Sequence, residues 1–165
     1  GVSLKELDRQ LKLTPGENEL IAKAPPRNAR QRDYGAKEYF STIFDRPFKS
    51  TGEGKYAEEV LKPLLDAGLI QDLQFERPAV LIDVTIHLHG RPKRIKKSCR
   101  PDFRYIEDGQ LWHHEYKGWA DDRFVFQLLL WTVGGPTPYK LTWYDRTTDI
   151  LYPNGWAQRL EASRG

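Results

Sequence analysis

Two stretches of the chain repeat apolar residues at helical spacing. From Ser50 to Gly68 the apolar positions form two adjacent rows, which predicts an amphipathic helix that Pro63 kinks or ends early. From Phe124 to Val133 the sequence is apolar almost all round, and it follows two N-cap candidates, Asp121 and Asp122. We expect this second helix to be buried, either in the core or in a dimer interface.

Other stretches alternate apolar and polar residues, the pattern of strands. Val80 to Leu88 alternates most cleanly and predicts a half-buried strand. Pro101 to Ile106 and Leu111 to Lys117 predict a strand pair joined through Glu107-Asp108-Gly109, since Asp-Gly favours a tight hairpin turn. The remaining predicted segments are a helix at 3–11, an irregular segment at 12–48 with one helical turn near Tyr39, strands at 139–144 and 150–152, and a helix at 156–162.

The predicted order of helix, three strands, helix and strand favours an α/β fold in which helices cover a mixed central sheet. A length of 165 residues fits one compact domain overall. We divide the chain into an N-terminal helix and basic arm at 1–47 and the main domain at 48–165. No apolar run reaches the roughly 18 residues of a membrane span, so no membrane partner is expected. The single cysteine, Cys99, favours a reducing compartment, and we expect a cytoplasmic protein.

Basic residues are clustered although the net charge is only +3. Such runs are usually solvated faces, but they become candidate nucleic-acid contacts if the chain also carries a site for phosphodiester chemistry. The candidates in the first cluster are Arg27, Arg30 and Arg32, and those in the second are Arg91, Lys93, Arg94, Lys96, Lys97 and Arg100.

A third pattern concerns chemistry. Strand alternation places His113, Glu115 and Lys117 on one face, and the preceding strand of the hairpin can bring Asp102 alongside. Carboxylate oxygens are the ligands that Mg²⁺ prefers, with water and phosphate oxygens completing its coordination. A lysine beside them can orient or help to deprotonate an attacking water. The sequence therefore predicts a hydrolytic metal site on this sheet surface.

These residues also carry a resemblance. Pro101-Asp102 followed by Glu115-Tyr116-Lys117 resembles the motif of the PD-(D/E)XK nuclease superfamily. The stretch from Phe48 to Tyr56 is similar to the helix start of phage junction-resolving endonucleases, and Ala67 to Leu73 is similar to a stretch of small phage-encoded proteins of that superfamily. The resemblance runs from about Asn28 to Tyr144.

The resemblance implies a restriction-endonuclease-like core, ordered αβββαβ behind an N-terminal arm. It implies that Glu53, Asp102 and Glu115 bind Mg²⁺, for which Mn²⁺ can substitute, and that Lys117 is the catalytic lysine. Gln127, on the helix after the motif, matches a position of polar residues near the site, and His113 is a second accessory candidate. The expected activity is endonuclease cleavage of DNA, preferably of a branched substrate such as a four-way (Holliday) junction. The paired cuts that this requires imply a homodimer; a phage-encoded protein would act in the host cytoplasm.

Each candidate has a plainer reading. Ser50 and Glu53 have the spacing of a helix capping box, in which the glutamate binds the N-cap amide instead of a metal. Asp102 can be a strand-edge residue, and Glu115 with Lys117 an ion pair on a solvated face. His113 can be an ordinary surface histidine. Two other functions therefore stay open: a nuclease acting on flaps, ends or foreign DNA, and a non-catalytic DNA- or protein-binding module.

Overall fold

The computed structural model describes residues 37–158 and 161 of the chain. The predicted helix at 3–11 and the cluster Arg27, Arg30 and Arg32 lie outside these residues. Within them the elements are β1 (Tyr39–Ser41), β2 (Arg46–Phe48), α1 (Thr51–Tyr56), a π-helical segment (Ala57–Leu61), α2 (Lys62–Asp66), β3 (Ile70–Phe75), β4 (Ala79–Leu88), β5 (Arg91–Cys99), β6 (Phe103–Glu107), β7 (Gln110–Lys117), α3 (Asp122–Gly134), β8 (Tyr139–Trp143) and β9 (Thr148–Leu151).

A five-stranded mixed sheet forms the centre, in the order β3-β6-β7-β8-β9. The pairs β3–β6, β6–β7 and β8–β9 are antiparallel, whereas β7 and β8 run parallel and are connected by α3. The predicted turn between β6 and β7 is confirmed: Asp108 and Gly109 have φ angles of 50° and 73°, the left-handed pair that a tight two-residue hairpin needs. The α/β class predicted from the sequence is therefore confirmed.

Each face of this sheet carries its own apolar core. Both cores are built from aromatic and aliphatic side chains that are almost completely buried. Residues of the first core, under α1, are Phe48, Tyr56, Ala57, Leu61, Ile70, Phe103 and Tyr105. Residues of the second core, under α3, are Ala79, Leu81, Phe124, Leu128, Trp131, Tyr139, Leu141 and Trp143. The strands in the middle are thus held from both sides, which fixes the positions of the side chains that they carry.

The first helical stretch begins at an N-cap, Ser50, whose hydroxyl accepts a hydrogen bond from the Glu53 amide. Pro63 does not end the stretch early, because helix continues to Asp66, and the predicted kink stays a prediction. The turn before it widens into the π-helical segment instead, and Pro63 then lies in the first turn of α2, where a missing N–H costs little.

The helix α3 begins where it was predicted and is partly buried. Its N-cap is Asp121, which accepts a hydrogen bond of 2.7 Å from the Phe124 amide. Burial in the core or in a dimer interface was predicted, and within the described chain α3 buries one face only. Phe126 and Val133 on the other face are 59% and 58% exposed. The core therefore accounts for one face of α3, while a dimer interface on the exposed face stays a prediction.

Three strand assignments correct the sequence prediction. Tyr39 lies in the β1–β2 hairpin and not in a helical turn. The Val80 to Leu88 strand is real but does not join the central sheet; β3, which was not predicted, pairs with β6 in its place. The basic stretch after Gly90, for which no strand was predicted, is β5, paired with β4 in a separate two-stranded sheet. None of the helices in the described ranges is long and apolar enough to cross a membrane.

Candidate active site

Asp102 and Glu115 meet at the end of the β6–β7 strand pair. Phe103 pairs with His114, so the next step of the register sets Asp102 opposite Glu115 on one face. The Asp102 amide donates a hydrogen bond of 3.2 Å to Glu115 Oε2, and the Tyr116 amide donates one of 2.9 Å to Asp102 Oδ2. The two carboxylates are only 5% and 6% exposed. Glu115 therefore does not lie on the solvated face that the plainer interpretation of the Glu115–Lys117 pair requires.

Lys117 lies two residues beyond Glu115 and on the same face of β7. Its Nζ is 2.9 Å from Glu115 Oε1 and 4.7 Å from the centre of the Phe124 ring. Burial by itself would lower the pKa of Lys117, but Glu115 and then Asp102 outweigh burial and raise it above the ordinary value. The ammonium group therefore stays charged, which suits it to hold a water or a phosphate oxygen and not to remove a proton.

Glu53 approaches the pair from the helix side. The Ser50 half of the predicted capping box is present, but among the described residues the Glu53 carboxylate makes no return hydrogen bond to the Ser50 amide. The side chain is buried instead, and this burial raises the pKa of Glu53 to about 7, with Lys49 lowering it and Glu115 raising it further. Glu53 is therefore close enough to Asp102 and Glu115 to interact with them electrostatically.

Burial and the neighbouring carboxylates disfavour the charged forms of Asp102 and Glu53. Burial raises the pKa of Asp102 well above its ordinary value, and Glu115 and Glu53 raise it further, while the Tyr116 amide and Lys117 lower it. Such a set of oxygens is the type of donor that a hard divalent cation binds, and the cation would relieve the repulsion.

The geometry for such an ion is partly formed. No group of three His, Cys, Asp or Glu side chains within residues 37–158 stands close enough to hold a metal ion as it is. Asp102 and Glu115 do form a pair held by backbone amides, and Mg²⁺ commonly uses one or two carboxylates together with waters and substrate phosphates. The residues fit a magnesium ion held by this pair, with Glu53 within electrostatic reach.

Lys49 is a charged neighbour of the site that the sequence did not reveal. It directly precedes the N-cap of α1, and its Nζ is 2.5 Å from Glu76 Oε1. Burial would lower the pKa of Lys49, but Glu76, Asp102 and Glu53 raise it. The Glu76 amide in turn donates a hydrogen bond of 3.1 Å to the Asp102 carbonyl oxygen. Only the β3–β6 pairing brings Glu76 here, so no local sequence signal identifies Lys49.

The two accessory candidates do not reach the carboxylates. His113 is only 3% exposed, so the reading as a surface histidine is wrong. Its Nδ1 lies 2.7 Å from Thr137 Oγ1, which gives its own hydrogen to the Pro138 carbonyl. The ring nitrogen must therefore be the donor, and burial followed by Arg104 lowers the pKa of His113 to about 4. Gln127 is half-buried on α3 and, in the described part of the chain, makes no hydrogen bond to the site.

A row of unsatisfied polar atoms crosses the sheet beside the carboxylates. Buried atoms that have no hydrogen-bond partner within residues 37–158 are Gln74 Oε1, Arg104 Nε, His113 Nε2 and Tyr139 OH. Their residues are successive cross-strand partners on β3, β6, β7 and β8. Buried polar atoms normally have partners, ordered water included, so this row marks a polar strip next to the site.

The second basic cluster lies on β5 and immediately after it. Arg91, Lys93, Arg94, Lys96, Lys97 and Arg100 are all exposed. β5 ends at Cys99, three residues before Asp102, so the base of the hairpin that bears these cations adjoins the site along the chain. Comparison with protein-family models and with curated proteins finds no match to this chain.

Proposed function

We propose that this chain is a magnesium-dependent DNA endonuclease that hydrolyses phosphodiester bonds. The observation that carries the proposal is the trio on one sheet face: two buried, amide-held carboxylates, Asp102 and Glu115, with the charged Lys117 bonded to the second. Along the chain, Glu53 is followed by Asp102, Glu115 and Lys117, which is the order of the motif that the chain resembles in the PD-(D/E)XK superfamily. On this proposal the central sheet and its helices are a restriction-endonuclease-like core.

The four charged residues of the site have different roles in the proposed reaction. Asp102 and Glu115 supply the oxygen ligands for Mg²⁺ or Mn²⁺, which contributes Lewis-acid stabilisation of charge on the scissile phosphate. Lys117, which stays protonated, orients the attacking water and offsets charge that develops on the phosphate. Glu53 has a pKa of about 7, so it adds a negative charge to the cluster under mildly basic conditions. Gln127 makes no hydrogen bond to these residues in the described chain and has no part in this proposal.

The proposed substrate is branched DNA, by resemblance to junction-resolving endonucleases, and the proposed acting unit is a homodimer. The exposed apolar face of α3 is the proposed interface between copies. The basic residues of β5 are proposed to contact phosphates, which positions DNA without reading its sequence. A nuclease on flaps or ends differs from this proposal in substrate only.

Cleavage assays test the proposal directly. A four-way junction, a flap and a plain duplex are incubated with the protein in Mg²⁺, in Mn²⁺ and in chelator. We expect metal-dependent cutting that favours the junction, and a fall of at least about 100-fold in rate for Lys117→Ala, because a charge stabiliser of the transition state is lost. The matched control is Lys55→Ala, an exposed lysine on α1.

Two results decide between the open readings. Equal cutting of plain duplex would remove the junction preference and leave a nuclease of broader substrate range. Unchanged cutting by Lys117→Ala, or none by the wild type in either metal, would contradict catalysis at this site. Unchanged cutting by Lys117→Ala would mean that another site is the catalyst. No cutting by the wild type would favour a non-catalytic DNA- or protein-binding module, with which the lack of a ready three-ligand group in the described ranges is compatible.

A further inference from the structure

Within the described chain, the β4–β5 hairpin packs into a core only at its base. It forms a sheet of its own, with nine register pairs and a length of roughly 30 Å. Its base packs into the core under α3 through Ala79 and Leu81, with Cys99 against them. Beyond Leu81 no residue of the hairpin is fully buried. A lone two-stranded ribbon is marginally stable in water, so this length of exposed ribbon indicates a binding partner.

The charge of the hairpin identifies the kind of partner. Asp83 is the one acidic residue between Ala79 and Arg100, and Arg94 takes both of its oxygens at 2.7 and 2.6 Å. The other cations of β5 have no ion-pair partner among the described acidic residues; they are Arg91, Lys93, Lys96 and Lys97. Four cations on one strand without an ion-pair partner in the described chain, against one acidic residue in the hairpin, fit a polyanion and repel a second copy of the same hairpin.

The register shows how these cations are arranged. Lys97 and Lys93 pair with Ile82 and Ile86, so these two lysines project from the face that carries the apolar row of β4. Lys96 pairs with Asp83 and projects from the opposite face. A flat contact with one DNA strand would use the cations of one face only. Cations on both faces of one strand can instead reach the phosphates on the two walls of a groove.

We propose that the β4–β5 hairpin inserts into a groove of duplex DNA, with β5 leading and its lysines contacting both phosphate walls. The major groove, about 12 Å wide, admits a two-stranded ribbon. The inference extends the proposed function, since the hairpin would hold the duplex arm that adjoins the bond to be cut. Its placement agrees with this, because β5 ends three residues before Asp102.

Duplex binding measures this role without cleavage. Fluorescence anisotropy of a labelled plain duplex is followed against salt for the full chain and for the triple variant Lys93→Ala/Lys96→Ala/Lys97→Ala. We expect at least about a tenfold weaker affinity and a salt slope smaller by about 2 to 3, near 0.9 for each phosphate that the variant no longer neutralises. Lys93→Arg/Lys96→Arg/Lys97→Arg keeps the charge and should bind as the wild type does.

A charge-matched control separates the hairpin from general basicity. Lys37→Ala/Lys55→Ala/Lys62→Ala removes the same charge from exposed or half-exposed positions elsewhere, and its slope should change by less than about 1. Circular dichroism and thermal unfolding confirm that each variant is folded.

The outcomes are distinct. An equal loss of affinity in the two alanine triples, or no loss in the hairpin triple, overturns the inference. It is also overturned if the hairpin triple changes the oligomeric state in sedimentation and leaves DNA affinity unchanged, since the hairpin is then a protein interface. The wild type can also bind duplex through the hairpin and yet cut no DNA. That result supports the role of the hairpin in binding, and it contradicts only the proposed nuclease activity.

Discussion

The carboxylate site and the basic hairpin are charged regions built in opposite ways. Asp102 and Glu115 are buried in a sheet with a core on each side, and backbone amides hold their oxygens. The cations of β5 are exposed on a ribbon that only its base connects to the body. The difference is one of packing: the sheet and its amides fix the carboxylates in position, whereas most of the hairpin's cations project into solvent.

The largest expected contrast is in stability. Phe103 adjoins Asp102, is fully buried and contacts Phe75 and Tyr56. Phe103→Ala should lower the free energy of unfolding by about 3 to 5 kcal/mol, because it leaves a cavity under the site. Val84→Ala, on the exposed hairpin, should cost less than about 1 kcal/mol. Urea unfolding measures the free energy of unfolding of both variants. A similar loss in the two would contradict the exposed position of Val84 on the hairpin.

The buried carboxyl groups make the stability of the site depend on pH. The pKa of Glu53 is raised from 4.5 to about 7, so between these values the folded chain keeps a proton that the unfolded chain has lost. Stability should therefore fall by roughly 3 kcal/mol from this group as the pH rises through that window, at about 1.4 kcal/mol for each pKa unit. Asp102, whose pKa is also raised, adds a fall of the same sign.

Glu53→Gln removes the Glu53 part of this dependence. Thermal unfolding between pH 4.5 and 8 should show a smaller fall in the stability of Glu53→Gln than in that of the wild type, whereas the exposed control Glu38→Gln should follow the wild type. A variant curve as steep as that of the wild type would show that Glu53 is not held protonated by the fold.

The smallest contrast lies within the sheet. Tyr105 OH is 2.9 Å from His114 Nδ1, whereas Tyr139 OH is buried without a partner in the described chain. Tyr105→Phe should cost about 1 to 2 kcal/mol, because His114 loses a hydrogen-bond partner. Tyr139→Phe should change stability by less than about 0.5 kcal/mol if its hydroxyl is unpaired. A loss in Tyr139→Phe equal to that in Tyr105→Phe would indicate an ordered water on the polar strip.

Local sequence signals predicted the elements that bear the site. The Asp108-Gly109 turn fixed the register that sets Asp102 opposite Glu115, and Asp121 marked the start of α3. These features depend on neighbouring residues, so the sequence pattern is enough to find them.

Other features depend on pairing between distant segments. β5 is rich in lysine, which strands disfavour, and is a strand because β4 offers it nine register partners. β3 contains Gln71, Asp72 and Gln74, which hide its alternation, and pairing with β6 makes it a strand. Lys49 lies beside the site and forms an ion pair with Glu76, the residue that follows β3. The alternation of apolar and polar residues along one segment does not indicate which distant segment pairs with it. The sequence therefore did not predict β3, β5 or the position of Lys49.

Magnesium binding tests the central claim most directly. Isothermal titration of the full chain at pH 8 should show Mg²⁺ binding that Asp102→Asn and Glu115→Gln each weaken severely. Lys117→Ala, which removes a competing cation, should bind Mg²⁺ at least as tightly as the wild type. Equal binding by wild type and Asp102→Asn, or loss of binding in Lys117→Ala with the fold intact, would contradict a metal site built on this carboxylate pair.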